Sequence, residues 1–324
     1  MGRLGWFAAL TIAAALVAGG CGDDEEEPSG GGGEATETTK LTVGVIPIAD
    51  VAPLYLGIDQ GFFEDQNLEI EPQLAEGGAA ITPAVLSGDF QIGFSNTVSL
   101  LIASSKGLPV QIISQGVLGG PDLSKPWADV LIPKGSDIKD PKDLEGKTIA
   151  ANTLNNICEV TINATLEEKG VDVSKIKYTE IPFPDMIGAL EKGRVDAACV
   201  VEPFVSQGKA AGMKGIDPFY AATAPDLTVA TYFASKQMIE SQPELIDRFK
   251  TAMEKSLEYS AQNPDAVRAV LPEYTQIPKE AAEKINLPSW QPELTEDTIQ
   301  TLSELSEKYG LIEKQPNLDE LIQR

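Results

Sequence analysis

The chain has 324 residues with 25 Lys and Arg against 49 Asp and Glu, a formal net charge of −24. Nucleic acid is excluded as a partner, because phosphate binding needs clustered Lys and Arg. The sequence has no histidine, which removes the commonest general base and metal ligand, and with them Ser-His-Asp, Cys-His and zinc chemistry, so neither a metal site nor a cofactor is expected.

At the N-terminus, Arg3 precedes an apolar run from Leu4 to Val17, followed by the small residues Ala18, Gly19 and Gly20 and then Cys21. Residues 1–20 read as a secretory signal, too short for a comfortable membrane span. A cysteine directly after small residues is where lipoprotein processing cuts and acylates. Cys21 is therefore the expected lipidation site, the other reading being an ordinary cleaved signal with an incidental cysteine. Residues 21–40 carry the acid run Asp23, Asp24, Glu25, Glu26 and Glu27, then Pro28, Ser29 and a glycine tract, with almost nothing apolar to bury. They read as a disordered tether.

From Leu41 onward, short apolar strands alternate with amphipathic helices. Strands are expected at 41–47, 68–74, 90–94, 110–115, 129–132, 148–152, 176–181, 197–201 and 228–234. The helices expected among them include 53–60, opened by Pro53, 97–106, 156–169, ending at Gly170, and 243–261 and 295–309 in an all-helical tail. Two stretches punctuated by Pro and Gly look like crossings: Gly119 to Trp127, containing Pro121 and Pro126, and Ala221 to Leu227, containing Pro225. They divide the body into a first lobe, 41–127 with 221–324, and an inserted second lobe, 128–220. The expected class is α/β, each lobe a mostly parallel sheet flanked by helices. Cys158 and Cys199 fall in the second lobe, where either one bridge or two buried thiols would fit.

Five segments resemble a known family. They are 46–55 (IPIADVAPLY), 61–63 (GFF), 86–89 (LSGD), 146–149 (GKTI) and 193–197 (GRVDA). Each is weak alone, but their order is that of the binding proteins of nitrate, sulfonate, taurine and thiamine-pyrimidine-precursor ABC importers. The resemblance implies a two-lobed type II periplasmic-binding-protein fold, a small molecule held between the lobes, and an ABC permease with its ATPase as partners. A monomer is expected, held outside the cytoplasm through the lipid that the N-terminal segment places on Cys21. The loop Asn152-Thr153-Leu154-Asn155-Asn156 is amide-rich, unlike the hydroxyl or basic side chains common in the family's anion binders.

In open α/β sheets, ligands bind beyond the carboxyl ends of strands, where helix N-termini offer free N–H groups. That rule selects Asp50, Leu54, Tyr55, Ser95, Asn96, Thr97 and Gln115 from the first lobe. It selects Asn152, Thr153, Asn155, Asn156, Phe183, Glu202 and Phe204 from the second, with Tyr232 and Trp127 near the crossings. Bland roles compete throughout: Asp50, Asn152 and Glu202 can be caps, Phe183 between two prolines can be packing, and Tyr55 can be core. Arg194 sits at the start of its strand, opposite the cleft, and no other Lys or Arg occupies a strand tip. The expected ligand is therefore neutral, zwitterionic or amine-bearing, with aromatic stacking on Tyr55, Phe183, Phe204 or Trp127 and an amino group held by Glu202. The alternatives are a sulfonate, taurine or nitrate receptor, a surface-anchored sensor, or an enzyme using Asp185 and Glu202 as acid and base.

Overall fold

The computed structural model describes residues 38–120 and 122–324. The signal segment, Cys21, the tether up to Glu37 and Pro121 lie outside the described residues. The first strand, β1 (Thr39–Val45), starts two residues before the expected end of the tether, because Thr39 and Lys40 already pair with Leu68 and Glu69. Its Leu41, Val43 and Val45 are fully buried, the period-two signature of a strand. The chain continues through α1 (Ala52–Asp59), β2 (Leu68–Leu74), α2 (Gly78–Ser87), β3 (Ile92–Asn96), α3 (Thr97–Ser105) and β4 (Val110–Leu118).

After the first crossing come β5 (Ala128–Ile132), β6 (Thr148–Ala151), α4 (Ile157–Glu168), β7 (Lys177–Glu180), α5 (Phe183–Glu191), β8 (Ala197–Val201), α6 (Phe204–Ala210), the short β9 (Lys214–Gly215) and α7 (Phe219–Thr223). The chain then returns as β10 (Thr228–Ser235) and ends in α8 (Lys236–Ser241), α9 (Pro243–Gln262), α10 (Pro264–Tyr274), α11 (Lys279–Ala282), α12 (Glu296–Lys308) and α13 (Leu318–Leu321).

The first sheet has the order β2-β1-β3-β10-β4 and the second β7-β6-β8-β5-β9. In each, three strands form a parallel core, β2-β1-β3 and β7-β6-β8. The strand that follows each crossing runs antiparallel to that core, β10 against β3 and β5 against β8. Each sheet thus keeps the expected parallel core and adds antiparallel pairing on the side where the chain crosses between the sheets. In both sheets the carboxyl ends of the parallel strands run into the loops that build the site described below.

The helical tail covers the first sheet. Phe249 of α9 packs on Phe63 and Tyr232 at 5.6 and 5.8 Å between ring centroids. α1 and α9 approach so closely that a Cβ at Gly57 would lie 2.1 Å from Ser256 Oγ, so glycine is required there. In the second lobe, Cys158, in the first turn of α4, is disulfide-bonded to Cys199 of β8 with a Cα–Cα distance of 6.3 Å. Among the described residues, no helix is long and apolar enough to cross a membrane.

Candidate ligand-binding site

Two adjoining cavities lie between the sheets. The outer, about 300 Å3, is walled by residues 46–48 and 74–76 of the first lobe and by residues 182–185 and Phe204 of the second. The inner, about 30 Å3, is lined by Asp50, Phe94 and Asn96 from one lobe, Asn152, Ile157 and Val201 from the other, and Tyr220, Val229 and Ala230 beside the second crossing. Ile46, Ile48 and Phe183 wall both spaces. None of the described residues lining either cavity is Lys or Arg.

The chemistry of the inner space centres on Asp50. The residue is 3% exposed. Its Oδ1 is buried with no hydrogen-bond partner in the structure. Burial raises its carboxyl from an ordinary value of 3.8 to about 8, offset slightly by its own backbone N–H. The segment carrying it is fixed from three sides. Trp290 Nε1 donates to the Asp50 carbonyl at 3.3 Å, and the Tyr274 hydroxyl donates to the Ile48 carbonyl at 3.1 Å. The Ala49 N–H donates to the Glu202 carbonyl of the second lobe at 2.9 Å.

The loop after β6 supplies the facing amides. Asn156 caps α4, its Oδ1 accepting from the Cys158 N–H at 2.9 Å. Its Nδ2 donates to Asn152 Oδ1 at 2.9 Å and to Thr153 Oγ1 at 3.1 Å, which fixes the orientation of the Asn152 amide. On the first lobe, Asn96 caps α3 through the Ser99 N–H at 3.0 Å and still lines the inner cavity.

Of the residues selected from the sequence, Asp50, Asn96, Asn152 and Phe183 meet in the inner cavity, and Phe183 and Phe204 wall the outer one, their rings stacked at 5.8 Å. The others do not line these spaces. Leu54 is core, and Tyr55 stacks on Tyr274 at 3.9 Å. Ser95 lies beneath Gly78, and Thr97 donates to the Thr228 carbonyl at 2.6 Å. Thr153 and Asn156 support Asn152, while Asn155 is an exposed turn residue with φ 52°. Gln115 and Tyr232 are buried with polar atoms that have no partner, yet they line neither cavity. Trp127 donates to the Gly119 carbonyl at 2.8 Å and packs against Tyr220 at the crossing.

Glu202 does not match its expected role as the amine holder. Its Oε2 accepts from the Ser206 N–H at 3.0 Å and its Oε1 from the Ser206 hydroxyl at 2.8 Å, so the carboxylate caps the start of α6. Burial raises it to about 7, and these two bonds hold it below where burial alone would put it.

Sequence reasoning missed the loop after β2, residues 75–78, although the rule that selected the other loops applies equally there. It also missed Tyr220 and the distant Tyr274 and Trp290. No local signal marks these three, because helices and loops far along the chain bring them to the site.

The chain matches the family described as NMT1/THI5 like over residues 48–267. A taurine-binding periplasmic protein of Escherichia coli (strain K12) is 26% identical over 209 residues, 64% of this chain and 62% of that protein, so the match spans less than two thirds of that relative. A formylaminopyrimidine-binding protein of Halalkalibacterium halodurans is 23% identical over 243 residues, 74% of this chain and 71% of that one. A 4-amino-5-hydroxymethyl-2-methylpyrimidine phosphate synthase of Saccharomyces cerevisiae is 23% identical over 226 residues, 65% of this chain and 64% of that one. In structure, an alkanesulfonate-binding protein from Xanthomonas axonopodis pv. citri bound to MOPS superposes with a TM-score of 0.75 at 17% identity, covering 90% of this chain and all of that one. That likeness establishes the two-lobed periplasmic-binding-protein fold. With residues 48–267 matched, more than half its length, the chain belongs to the NMT1/THI5-like family.

Proposed function

We propose that the chain is the extracytoplasmic solute-binding component of an ABC importer, working as a monomer anchored by a lipid on Cys21. Its lobes would comprise 41–127 with 221–324, and 128–220. It would capture a small organic molecule between them and present the closed form to a permease and its ATPase. The family membership and the binding proteins among its relatives support the transport reading.

The observation that carries the reading is the cavity pair itself: walls from both sheets, aromatic and aliphatic lining, amides from each lobe, and no Lys or Arg. Such a site suits a neutral, zwitterionic or amine-bearing ligand, an aminopyrimidine among them, better than a simple anion such as nitrate. Catalysis finds less support than binding. With Glu202 engaged by Ser206, Asp185 is left without the acid/base partner that an enzyme reading requires.

A thermal-shift screen tests the reading. Taurine, alkanesulfonates, nitrate, aminopyrimidines and amino-acid derivatives would each be tried on the purified protein. A ligand at 100 times its Kd adds about 2.7 kcal/mol of stability. Shifts confined to nitrate and alkanesulfonates would leave the receptor function and remove the ligand class. A decrease in radius of gyration with the bound ligand is expected from solution scattering, and an unchanged radius would refute closure.

A further inference from the structure

This inference rests on the reading of the chain as a solute receptor and deepens it. We propose that Asp50 receives a cationic N–H head group of the ligand, an ammonium or amidinium-like group, placed in the inner cavity while the rest of the molecule occupies the outer one.

Comparison of the buried acids makes the case. Among the described residues, four carboxyl side chains are buried: Asp50, Asp129, Glu202 and Asp217. Three are provided for within the chain. Asp129 lies 3.4 Å from Lys209 and accepts the Asp217 N–H at 3.2 Å. Asp217 accepts from Lys169 at 3.0 Å and from the Thr165 hydroxyl at 2.7 Å. Glu202 accepts twice from Ser206. Of these four acids, only Asp50 has a buried oxygen with no partner, and only Asp50 lines the inner cavity. A buried acceptor left open costs stability unless something outside the chain completes it. The residue that carries this one lines the space where a ligand would sit.

The surroundings favour a cation. Phe94, Phe183 and Tyr220 line the same space, and aromatic faces attract a desolvated ammonium or guanidinium-like group. Asn96 and Asn152 add amide groups from opposite lobes. The Asn152 oxygen accepts from Asn156, which leaves the amide N–H groups of Asn152 as donors for an acceptor end of a bipolar ligand. The three hydrogen bonds that fix the 48–50 segment keep the acceptor in place before binding, which reduces the ordering cost.

The titratable groups around Asp50 are Tyr55 on α1, Tyr220 on α7, Tyr232 on β10 and Tyr274 on α10, with Glu202 bonded through its carbonyl to the neighbouring Ala49. Burial raises all four tyrosines, so they stay neutral at pH 7, and none of the described residues lining the inner cavity is a cation.

The test is titration calorimetry with matched pairs that exchange nitrogen for oxygen: taurine and isethionate, 4-amino-2-methylpyrimidine and 2-methylpyrimidin-4-ol, benzylamine and benzyl alcohol. In whichever pair binds, the amine is expected to bind about 30-fold or more tightly than its oxygen analogue, and Asp50→Asn to abolish that preference. Binding of an amine already protonated at pH 7, taurine or benzylamine, is also expected to release close to one proton, read from buffers of different ionisation enthalpy, whereas the aminopyrimidine takes up the proton Asp50 gives. That measurement uses the unaltered protein and decides the matter even if Asp50→Asn fails to fold. Equal affinity within a pair, a preference retained in Asp50→Asn, or binding of taurine or benzylamine without proton release would overturn the assignment to Asp50 and leave the receptor reading intact. Absence of binding by every pair would overturn the assignment to Asp50, and silence in the wider thermal-shift screen as well would overturn the receptor reading.

Discussion

Gly77 of the first lobe and Asn152 of the second face each other across the interlobe boundary: a Cβ at Gly77 would lie 3.0 Å from Asn152 Nδ2 and 2.8 Å from Thr153 Cγ2. The backbone at Gly77 is extended, with φ 171°, so any residue can adopt it. Only the approach of the other lobe demands glycine. Gly77→Val should therefore hold the lobes apart without disturbing either one. We expect the affinity of a cleft ligand to fall about tenfold or more, while the melting temperature of the free protein changes by no more than a typical surface substitution would. Unchanged affinity would show that the lobes do not meet at this point in the ligand-bound form.

The pH dependence of stability should carry the signature of Asp50. Its folded-state value of about 8 lies above its ordinary 3.8, so the folded chain keeps a proton that the unfolded chain releases. The stability this confers is complete below about 3.8, declines at up to roughly 1.4 kcal/mol per pH unit, and is exhausted above about 8. Glu202 acts in the same direction from 4.5 to about 7. In urea denaturation between pH 4 and 9, wild type should lose stability relative to Asp50→Asn as pH rises, with the Glu202 contribution common to both. Parallel curves would mean that Asp50 is not the buried, unpartnered acid seen here.

Glu202→Gln separates the role the structure gives this residue from the one its position suggested. The variant retains an acceptor but loses the charge that caps α6. Because burial weighs against the charge more than Ser206 favours it, the variant is expected to lose the Glu202 share of the stability decline between pH 4.5 and about 7, with ligand preference unchanged. A selective loss of amine-bearing ligands would return Glu202 to the binding site.

Cys158 and Cys199 are separated by 41 positions, and closing a loop of that length constrains the unfolded chain by about 4 kcal/mol. Replacing both by Ala should lower the melting temperature by several degrees. Because the bond ties the first turn of α4 to β8, the ligand loop at 152–156 should also exchange its amide hydrogens faster. Equal exchange in variant and wild type would confine the disulfide to a stabilising role.

Much of the fold could be read directly from the chain. β2, β8 and the start of β4 stand out by apolar runs and period-two alternation, and α9 by its 3.6-residue periodicity after Pro243. β9 has two residues and carries no period to detect. β4 extends to Leu118 rather than stopping at Gln115, because β10 continues to pair with it beyond that point. Side-chain roles were less legible. Asp50 and Glu202 follow strands in similar surroundings, and nothing local tells an acid that caps a helix from one left open.

The sequence by itself determined the alternation of strands and helices, the two crossings, the lack of histidine and the scarcity of cations at strand tips, all of them properties of short windows or of composition. Only the tertiary structure decided which polar groups are satisfied. Trp290 reaches the backbone of Asp50 across 240 positions, and Tyr274 reaches that of Ile48 across 226. Hydrogen-bond partners are set by proximity in space, and proximity at such separations exists only once both sheets and the helical tail have packed.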